Sequence, residues 1–348
     1  MSRTYRVALL PGDGVGPEVT AEARRAVDAL GLPLVWTELP WGSAFYREHG
    51  AMMPPDALEL LRGHDAVLLG AMGDPSVPDD VSLWGSILRL RQGLDLWANV
   101  RPARLLPGVP CPLADRSPAD VDMLFVRENT EGEYAGVGGR AHRGLPGEVA
   151  LETAVFTRAG VERVVRHAFG LAASRRAVLT SATKSNASRF GYVLWDEVVA
   201  EVAAGFPDVR VERVLVDALA ARMVRDPGSI DVVVASNLFA DILTDLAAAL
   251  QGGMGMAASA NLAPGDSGPG VFEPVHGSAP DIAGRGVANP VGALWSASLL
   301  LDHLGETEAS AALLDAVEAV CASGPRTRDI GGTASTREVG DAVVAHLA

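Results

Sequence analysis

Short apolar runs alternate with amphipathic stretches along most of this 348-residue chain. An apolar run bounded by turn residues is typical of a buried strand, and apolar positions three and four apart are typical of a helix. Strands are predicted at Val7–Leu10, Ala66–Gly70, Val121–Val126, Arg176–Thr180, Val209–Val214 and Asp231–Ala235. Helices are predicted at Glu18–Leu30, Pro55–Arg62, Arg158–Ala173, Ala187–Ala204 and Leu238–Leu250. This alternation predicts an α/β fold built on a largely parallel, helix-covered sheet.

Three segments depart from the alternation. Gly144–Leu151 contains Gly-Leu-Pro-Gly and leads into a strand-like stretch, Glu148–Phe156, which together predict an arm or flap. Gly252–Gly270 is rich in Gly, Ala, Ser and Pro, a composition that favours a mobile loop. The last segment, about 60 residues long, has the spacing of three amphipathic helices, which indicates a packing layer more than a site.

Composition and charge narrow the class of protein. A hydrophobic share of 48% and 38 glycines suit a globular α/β enzyme. The net charge of −14 and the absence of any basic run argue against nucleic acid as a partner. No apolar stretch reaches the roughly 18 residues of a membrane span, and no signal-peptide pattern is present. Cys111 and Cys321 are too few for a disulfide framework, so we expect a cytoplasmic protein with reduced thiols.

A single lysine, Lys184, stands among 28 arginines, in the string TSATKSN. Arginine keeps its proton at any accessible pH, whereas a buried or cation-flanked lysine can lose its proton and act as a base. A chance survivor in an arginine-rich composition explains the count equally well. The count alone therefore leaves both interpretations open.

A glycine-rich turn follows the first predicted strand. The string PGDGVGPE begins at Pro11 and lies between a strand and a helix, where dinucleotide folds carry G-x-G-x-x-G. The third glycine of that pattern would fall on Pro17 or Val19, so the fingerprint fails. Pro17 instead suits the first turn of a helix. The motif predicts a glycine turn near a ligand and excludes a simple Rossmann interpretation.

Asp241 and Asp245 are four residues apart in a predicted helix, so both carboxylates lie on one face. Such like charges repel unless a cation lies between them, and all-oxygen ligands favour Mg²⁺ or Mn²⁺. A solvated helix face is the commoner explanation of such a pair. Here the flanking residues are apolar, and the pair follows a strand, where α/β sheets place their ligands. Asp217, which follows the preceding strand, is a third candidate metal ligand.

Arg91, Arg101 and Arg127 are candidates for binding carboxylates, because a guanidinium group can donate two parallel hydrogen bonds to one. Each alone is more typical of a surface or ion-paired arginine. Arg127 differs because it ends an apolar strand and begins a loop. That loop contains Tyr134, one of four tyrosines. A tyrosine beside a lysine and a metal can donate a proton, and without such neighbours it is a half-buried loop residue.

The segment Phe272–Gly284 is rich in turn residues and predicts a loop, neither strand nor helix. His276 can stack on a flat ring, and Asp281 can accept hydrogen bonds from ribose hydroxyls. A carboxylate there would repel a 2′-phosphate, which favours NAD over NADP. In isolation, His276 is more typical of a hydrogen-bonded loop histidine.

Together these segments resemble the β-decarboxylating dehydrogenases, the family of isocitrate, 3-isopropylmalate, homoisocitrate and D-malate/tartrate dehydrogenases. Five motifs occur in the family's order between Leu10 and Pro290, which is most of the chain. The resemblance implies a two-domain isocitrate/isopropylmalate dehydrogenase-like α/β fold, not a Rossmann fold. Residues 1–99 plus 252–348 would form the domain that bears the cofactor loop. Residues 100–251 would form the domain for dimerisation, metal and substrate, with an arm near 138–157.

The resemblance also implies roles for single residues in a homodimer with shared active sites. Lys184 corresponds to the base for the substrate 2-hydroxyl and Tyr134 to the acid of the later protonation. Lys184 and Asp217 would reach into the partner's active site. Three arginines would hold the carboxylates of a small dicarboxylate substrate: Arg91, Arg101 and Arg127. Three carboxylates would hold Mn²⁺ or Mg²⁺: Asp217, Asp241 and Asp245.

The family's cofactor loop has a counterpart here as well. Its members in this chain are Glu273, His276, Gly277, Ser278, Ala279, Asp281 and Asn289. Asp281 and Ile282 stand where NADP-dependent relatives tend to carry Lys-Tyr, so the resemblance implies NAD. A requirement for K⁺ stays open.

The specificity stretch of the family corresponds to Ser82–Leu88. Family members for isocitrate offer a serine and an asparagine where this chain has Gly85 and Ile87, and Trp84 is bulky enough to fill the space of a larger C3 substituent. These residues favour the tartrate and D-malate branch, with oxidation of D-malate to pyruvate and CO₂ and with tartrate as a second substrate. Apolar Ile87 keeps 3-isopropylmalate open, followed by isocitrate or homoisocitrate.

Two alternative functions lie outside the dehydrogenases. A metal-dependent lyase or aldolase also uses clustered aspartates and a lysine, but it gives no reason for the loop from His276 to Asp281. A catalytically inactive relative that only binds ligands is disfavoured because every expected catalytic side chain is present.

Overall fold

The computed structural model describes residues 3–266 and 268–347. Its strands are β1 (Tyr5–Gly12), β2 (Leu34–Glu38), β3 (Ala66–Ala71), β4 (Ala98–Arg104), β5 (Asp122–Glu128), β6 (Gly132–Ala141), β7 (Val149–Val155), β8 (Val178–Thr183), β9 (Arg210–Leu215), β10 (Val232–Ala235), β11 (Ala258–Leu262) and β12 (Gly270–Pro274). Its helices are α1 (Gly16–Ala29), α2 (Ser43–His49), α3 (Ala57–Arg62), α4 (Asp79–Gly85), α5 (Ile87–Gly93), α6 (Arg158–Ala173), α7 (Gly191–Ala203), α8 (Val216–Arg225), α9 (Asn237–Leu250), α10 (Val291–His303), α11 (Thr307–Ser323) and α12 (Thr336–Leu347).

Ten strands form one sheet in the order β2-β1-β3-β12-β11-β4-β5-β10-β8-β9. The pairings toward both edges are parallel, and apolar strands such as β3 are buried along their whole length. Three successive pairings at the centre, β12 with β11, β11 with β4 and β4 with β5, are antiparallel. The predicted α/β fold is confirmed, with a central antiparallel section that the alternation of strands and helices does not reveal.

The prediction of a mobile loop at Gly252–Gly270 is wrong for the central part of that segment. Ala258–Leu262 is strand β11, near the middle of the sheet, and Ser259 and Asn261 are fully buried. Small residues allow close packing on both sides of this contact: a Cβ added at Gly255 would lie 2.8 Å from Asn289 Cβ, and one added at Gly292 of α10 would lie 2.8 Å from the carbonyl oxygen of Ala257. A composition typical of loops therefore belongs here to a strand covered tightly by a helix. Ser267 lies outside the described residues.

The prediction that Phe272–Gly284 is entirely a loop is also partly wrong. Phe272–Pro274 is the end of β12, which pairs in parallel with β3, and Phe272 is fully buried. The turn-rich character of the sequence begins only after Pro274. The cofactor-loop candidates therefore start from a fixed strand end.

The segment predicted as an arm is a two-stranded antiparallel ribbon, β6 with β7, outside the main sheet. Its apolar side chains Leu145 and Leu151 are 59% and 66% exposed. The three C-terminal helices are present, but α10 is buried on nearly all sides and is not amphipathic. Within the described residues, no helix has the length and apolar character that crossing a bilayer requires. The division into two domains stays a prediction.

Candidate active site

A cavity of about 200 Å³ gathers most of the predicted substrate residues. We call it the arginine cavity, because Arg91 of α5, Arg101 of β4 and Arg127 of β5 line it together. Tyr134 and Asp241 also line it, as do Ile87, Glu273, His276 and Gly277. Larger hollows of about 470 and 700 Å³ lie elsewhere on the surface, but no predicted site residue lines either of them. The chemistry is therefore concentrated in the smaller cavity.

The three arginines are buried and are held by hydrogen bonds. Their exposed fractions are 5%, 6% and 1%, for Arg91, Arg101 and Arg127. Arg101 donates from Nε to Asn99 Oδ1 (2.6 Å) and from Nη1 to Thr244 Oγ1 (2.7 Å). Burial, and then the positive charges of Arg91 and Arg101, lower the pKa of Arg127 to about 9. Three buried cations this close repel each other, and an anionic ligand would relieve that repulsion.

Asp241 of α9 is the carboxylate that faces the arginines. It forms an ion pair with Arg127 and lies 3.8 Å from Arg101 Nη2, and its Oδ2 accepts a hydrogen bond from the Tyr134 hydroxyl at 3.0 Å. Burial alone would raise the pKa of Asp241, but the charges of Arg127 and Arg101 hold it below its usual value. Burial and the Asp241 charge raise the pKa of Tyr134. Near neutral pH the site therefore holds an ionised aspartate and a protonated tyrosine.

Asp245 lies one turn beyond Asp241 on the same helix face. Loss of hydration and then the charge of Asp241 raise the pKa of Asp245. No ion pair or side-chain hydrogen bond to Asp245 is found among the described residues. Asp241 is paired with Arg127, whereas no cation in the described part of the chain pairs directly with the carboxylate of Asp245. Such an oxygen pair fits a hard divalent cation in part. Within residues 3–266 and 268–347, however, no group of three or more His, Cys, Asp and Glu side chains can hold a metal.

Lys184 and Asp217 lie apart from the arginine cavity and line no part of it. They form an ion pair with each other, between the end of β8 and the start of α8. Their side chains are 31% and 62% exposed. The hydrogen bond from Lys184 is the main cause that lowers the pKa of Asp217. A single chain thus brings together Asp241 with the arginines but does not add the predicted base or the third predicted metal ligand.

A second cavity, of about 380 Å³, adjoins the arginine cavity at His276, which lines both. We call it the loop cavity; Ala279, Ile282 and Asn289 line it too. His276 Nδ1 lies 2.9 Å from the Gly277 carbonyl oxygen, while its Nε2 is buried without a partner among the described residues. Burial lowers the pKa of His276. An unpartnered buried imidazole nitrogen and a largely apolar lining fit a flat heterocyclic ligand such as part of NAD.

The glycine turn between β1 and α1 packs against the backbone of Ser278, next to the loop cavity. Gly14 has φ +58°, and a Cβ there would lie 1.9 Å from the Ser278 carbonyl oxygen. The next amide, Val15 N, donates to that same oxygen at 2.8 Å, and Val15 lines the loop cavity. Pro17 lies in the first turn of α1, as predicted. Asp281 is exposed and does not line the loop cavity, so its contact with a ribose stays a prediction.

The specificity stretch differs from the prediction at one residue. Leu83, Ile87 and Leu88 line the arginine cavity, whereas Trp84 does not. The Trp84 ring lies against β6 instead, where a Cβ on Gly136 would be 2.9 Å from its Cη2 atom. On α4 the side chains of neighbouring residues point in different directions. Leu83, which was not predicted as a site residue, therefore lines the cavity, and a contact of Trp84 with substrate stays a prediction.

Sequence reasoning also missed the polar residues that hold the site together. Four of them contact the predicted arginines directly: Asn99, Asn237, Thr244 and Asn261. They are buried, and all four lie in strands or a helix whose apolar pattern says nothing about hydrogen bonding. Only a strand assignment for Ala98–Arg104 would have placed Asn99 beside Arg101, two residues further along the same face.

Comparisons with known proteins agree with this fold. Residues 6–343 match the isocitrate/isopropylmalate dehydrogenase family. A probable tartrate dehydrogenase/decarboxylase of Agrobacterium vitis is 52% identical over 347 residues, which cover 98% of this chain and 95% of the relative. The D-malate dehydrogenase (decarboxylating) of Escherichia coli K12 is 48% identical over 355 residues, covering 99% and 98%.

A solved structure is similar over the same extent. The isocitrate dehydrogenase from Methylococcus capsulatus superposes with a TM-score of 0.90 at 35% identity, covering 99% of both chains. The matched region includes the arginine cavity, the loop cavity and the Lys184–Asp217 pair. The chain therefore belongs to the isocitrate/isopropylmalate dehydrogenase family and is an oxidoreductase enzyme.

Proposed function

We propose that this protein catalyses the NAD-dependent and divalent-metal-dependent oxidative decarboxylation of D-malate to pyruvate and CO₂, with tartrate as a second substrate. The observation that carries the proposal is the arginine cavity, where three buried arginines face two carboxylates, Asp241 and Glu273. This surplus of positive charge suits a small dicarboxylate. The names of the relatives from Agrobacterium vitis and Escherichia coli support the choice of substrate.

The arginines bind and orient the substrate. Arg91 uses Nε and Nη2 for Asn261 and Glu273, and Arg101 uses Nε and Nη1 for Asn99 and Thr244. The remaining nitrogens are available to carboxylate oxygens. Because the protein already fixes both guanidinium groups, binding loses little additional side-chain freedom.

Proton transfer is assigned to Tyr134 and Lys184. The Tyr134 hydroxyl carries its proton near neutral pH and lies inside the arginine cavity, so it can protonate the product carbon after CO₂ leaves. Lys184 would remove the proton of the substrate 2-hydroxyl. Because Lys184 does not line the cavity of its own chain, we assign this step to the lysine of a second copy.

Two bound groups complete the proposed chemistry. Asp241 and Asp245, with Asp217 of a second copy, would hold Mg²⁺ or Mn²⁺, and the loop cavity would hold NAD. When bound, the metal polarises the developing carbonyl and NAD accepts the hydride. The residues that we assign to NAD are Glu273, His276, Gly277, Ser278, Ala279, Asp281 and Asn289.

The surface around the ribbon supports a homodimer. Phe190 is 80% exposed beside a broad hollow of about 700 Å³, and Leu145 and Leu151 of the β6–β7 ribbon are also exposed. Phe190 lines this hollow together with Ala154 of β7, so the ribbon and an exposed aromatic side chain meet there, as is typical of an interface. A dimer formed there would be the source of the second copy's Lys184 and Asp217.

A specific observation favours an alternative to D-malate and tartrate as the substrate. Leu83, Ile87 and Leu88 form an apolar group at the arginine cavity. An isopropyl substituent on C3 of malate would find apolar contacts with Ile87 and Leu88 there, so 3-isopropylmalate is the alternative. One methylene group in an apolar pocket corresponds to about 1–3 kcal/mol, so the rates of the two substrates should differ measurably.

The test is NADH formation with purified protein, followed by absorbance. The substrates are D-malate, L-tartrate, meso-tartrate, 3-isopropylmalate and isocitrate, each with Mn²⁺ and with a chelator. We expect metal-dependent turnover led by D-malate or tartrate. Turnover led by 3-isopropylmalate would contradict the substrate assignment, and CO₂ release without NAD would contradict the dehydrogenase mechanism.

A further inference from the structure

Asn261 of β11 is the centre of a buried hydrogen-bond network behind the arginine cavity. Its side chain is fully buried. Its Oδ1 accepts hydrogen bonds from Arg91 Nε (2.9 Å), Asn99 Nδ2 (2.9 Å) and Asn129 Nδ2 (3.0 Å). Three donors converge on this atom, so it is the amide oxygen and not the nitrogen.

The amide nitrogen of Asn261 is used equally fully. It donates to Glu273 Oε1 at 3.0 Å and to the Val271 carbonyl oxygen at 3.0 Å. The same Glu273 oxygen accepts from Arg91 Nη2 at 3.1 Å. Arg91, Asn261 and Glu273 therefore form a closed triangle of hydrogen bonds. Both donors of the amide and its oxygen are satisfied by the fold, without any ligand.

The network reaches a second substrate arginine through Asn99. The nitrogen of Asn99 donates to Asn261, and its oxygen accepts from Arg101 Nε at 2.6 Å. One amide thus fixes Arg91 directly and Arg101 through one neighbour. The position of both guanidinium groups depends on the position of Asn261.

A neutral amide suits this place for an electrostatic reason. Burial, and then the charge of Arg91, lower the pKa of Arg101, so the two cations repel each other. A carboxylate behind them would hold them too, but it would cancel positive charge that a dicarboxylate needs. Arg91 already pairs with the Glu273 carboxylate, and an amide at position 261 holds the guanidinium groups by hydrogen bonds without adding a second negative charge.

We propose that Asn261 is a positioning residue for the dehydrogenase reaction. It sets the geometry of Arg91 and Arg101 toward the substrate and ties them to Glu273, at the end of the strand that carries the His276 loop. The proposal rests on the proposed function, because it assigns substrate binding to these two arginines. The new element of the proposal is that Asn261, which lines neither cavity, determines the alignment of the two arginines.

The first variant is Asn261→Ala, with Ser259→Ala as its matched control. Ser259 is equally buried in the same strand and accepts from Asn99 at 2.7 Å, but it has no hydrogen bond to Arg91 or Glu273. Misplaced arginines weaken binding in the ground state and the transition state alike. We therefore expect Asn261→Ala to raise the KM for D-malate about 10–100-fold, with kcat within about threefold of wild type. Ser259→Ala should change KM less than about threefold.

The second variant is Asn261→Asp, which keeps the shape of the side chain. Its new carboxyl group resembles the amide only when protonated, because a hydroxyl can then donate to Glu273 as the amide nitrogen does. Ionised, it repels Glu273 and neutralises Arg91. The ratio of kcat/KM in the variant to that in wild type should therefore rise as the pH falls. Dividing by the wild-type value removes the titration that both proteins share.

The outcomes separate this proposal from the proposed function. D-malate binding by calorimetry and thermal unfolding are measured on every variant, so that loss of folding is recognised directly. A raised KM, weakened D-malate binding and a pH-dependent ratio support the proposal. A wild-type KM in folded Asn261→Ala, or equal effects of Asn261→Ala and Ser259→Ala, would overturn it. Absence of D-malate turnover in the wild-type protein would instead overturn the proposed function.

Discussion

The arginine cavity and the Lys184–Asp217 pair differ in almost every physical respect, although the proposed mechanism needs both. The arginines are buried, and amides, hydroxyls and carboxylates from β4, β11, α9 and β12 fix them. The pair is 31% and 62% exposed, and among residues 3–266 and 268–347 neither side chain has another side-chain partner. One chain therefore completes the region that we assign to substrate binding and leaves the region that we assign to proton transfer on its surface.

This difference has a physical consequence for how the two regions respond to change. The buried arginines are held in place by their partners. Loss of a partner leaves a buried charge unpaired, which strongly lowers the free energy of unfolding. The exposed pair gains little stability from its ion pair, because solvent screens it. Substitutions in the pair should therefore alter chemistry with little effect on folding, and substitutions in the cavity should alter binding and folding together.

The largest expected effect is that of Lys184→Arg. Arginine keeps the positive charge but does not give up its proton, so the proposed base is lost. We expect kcat for D-malate to fall about 10²–10⁴-fold, with substrate affinity and thermal unfolding close to wild type. Steady-state kinetics and calorimetry on the same preparation measure this. A kcat within a few-fold of wild type would remove Lys184 from the mechanism.

Arg127→Lys should have the next largest effect, and it acts on binding. The ammonium group keeps the charge opposite Asp241 but loses the planar fork that reaches both Asn237 and Asp241. We expect KM for D-malate to rise roughly 10–100-fold and the unfolding temperature to fall. As a control, Arg213→Lys alters an exposed arginine paired with Asp196 and should leave both quantities unchanged.

Leu83→Ala and Trp84→Ala form a matched pair that sharpens the substrate assignment. Leu83 lines the arginine cavity and Trp84 does not. Removing the leucine should shift the ratio of kcat/KM for 3-isopropylmalate over D-malate upward about tenfold, because space for an apolar substituent is added. The tryptophan variant should shift this ratio less. The reverse order of effects would restore Trp84 as the residue that limits substrate size.

Ligand-dependent stability is the smallest expected effect. D-malate relieves the repulsion among the buried arginines, so it should raise the unfolding temperature of the wild-type protein; at 100 times its Kd the gain is about 2.7 kcal/mol. The same gain is expected for Lys184→Arg, whose arginine cavity is intact. Differential scanning fluorimetry with D-malate, and with L-lactate as a monocarboxylate control, tests this. Equal stabilisation by both acids would argue against recognition of two carboxylates.

The sequence predicted the elements whose burial follows a simple period. The ends of α6 agree with the predicted Arg158–Ala173, because apolar residues recur there on one face. β4 was missed because Pro102 and Arg101 interrupt its pattern, and a proline argues against a central strand. β11 was missed because its small residues are typical of loops. Both strands are stabilised by tertiary packing, which the local hydrophobic pattern of the sequence does not indicate.

The candidate site was predictable as a set of residue types, and its arrangement was not. The strand end at Arg127, the four-residue spacing of Asp241 and Asp245, and the loop that contains Tyr134 indicated candidate residues from the sequence alone. No pattern in the sequence indicated that Asn261 would contact Arg91, 170 residues away. The choice between Leu83 and Trp84 depends on the rotation of a seven-residue helix, which short-range periodicity does not determine.

The central claim is that each active site combines the arginine cavity of one chain with Lys184 of another. The most direct test mixes two inactive variants, Lys184→Ala and Arg127→Met, by joint refolding or coexpression. In a mixed dimer one site carries both substitutions and the other carries neither. The account predicts that an equal mixture regains about one quarter of wild-type activity per chain, since half of the dimers are mixed. A mixture no more active than its parents, with mixed dimers shown to form, would contradict it.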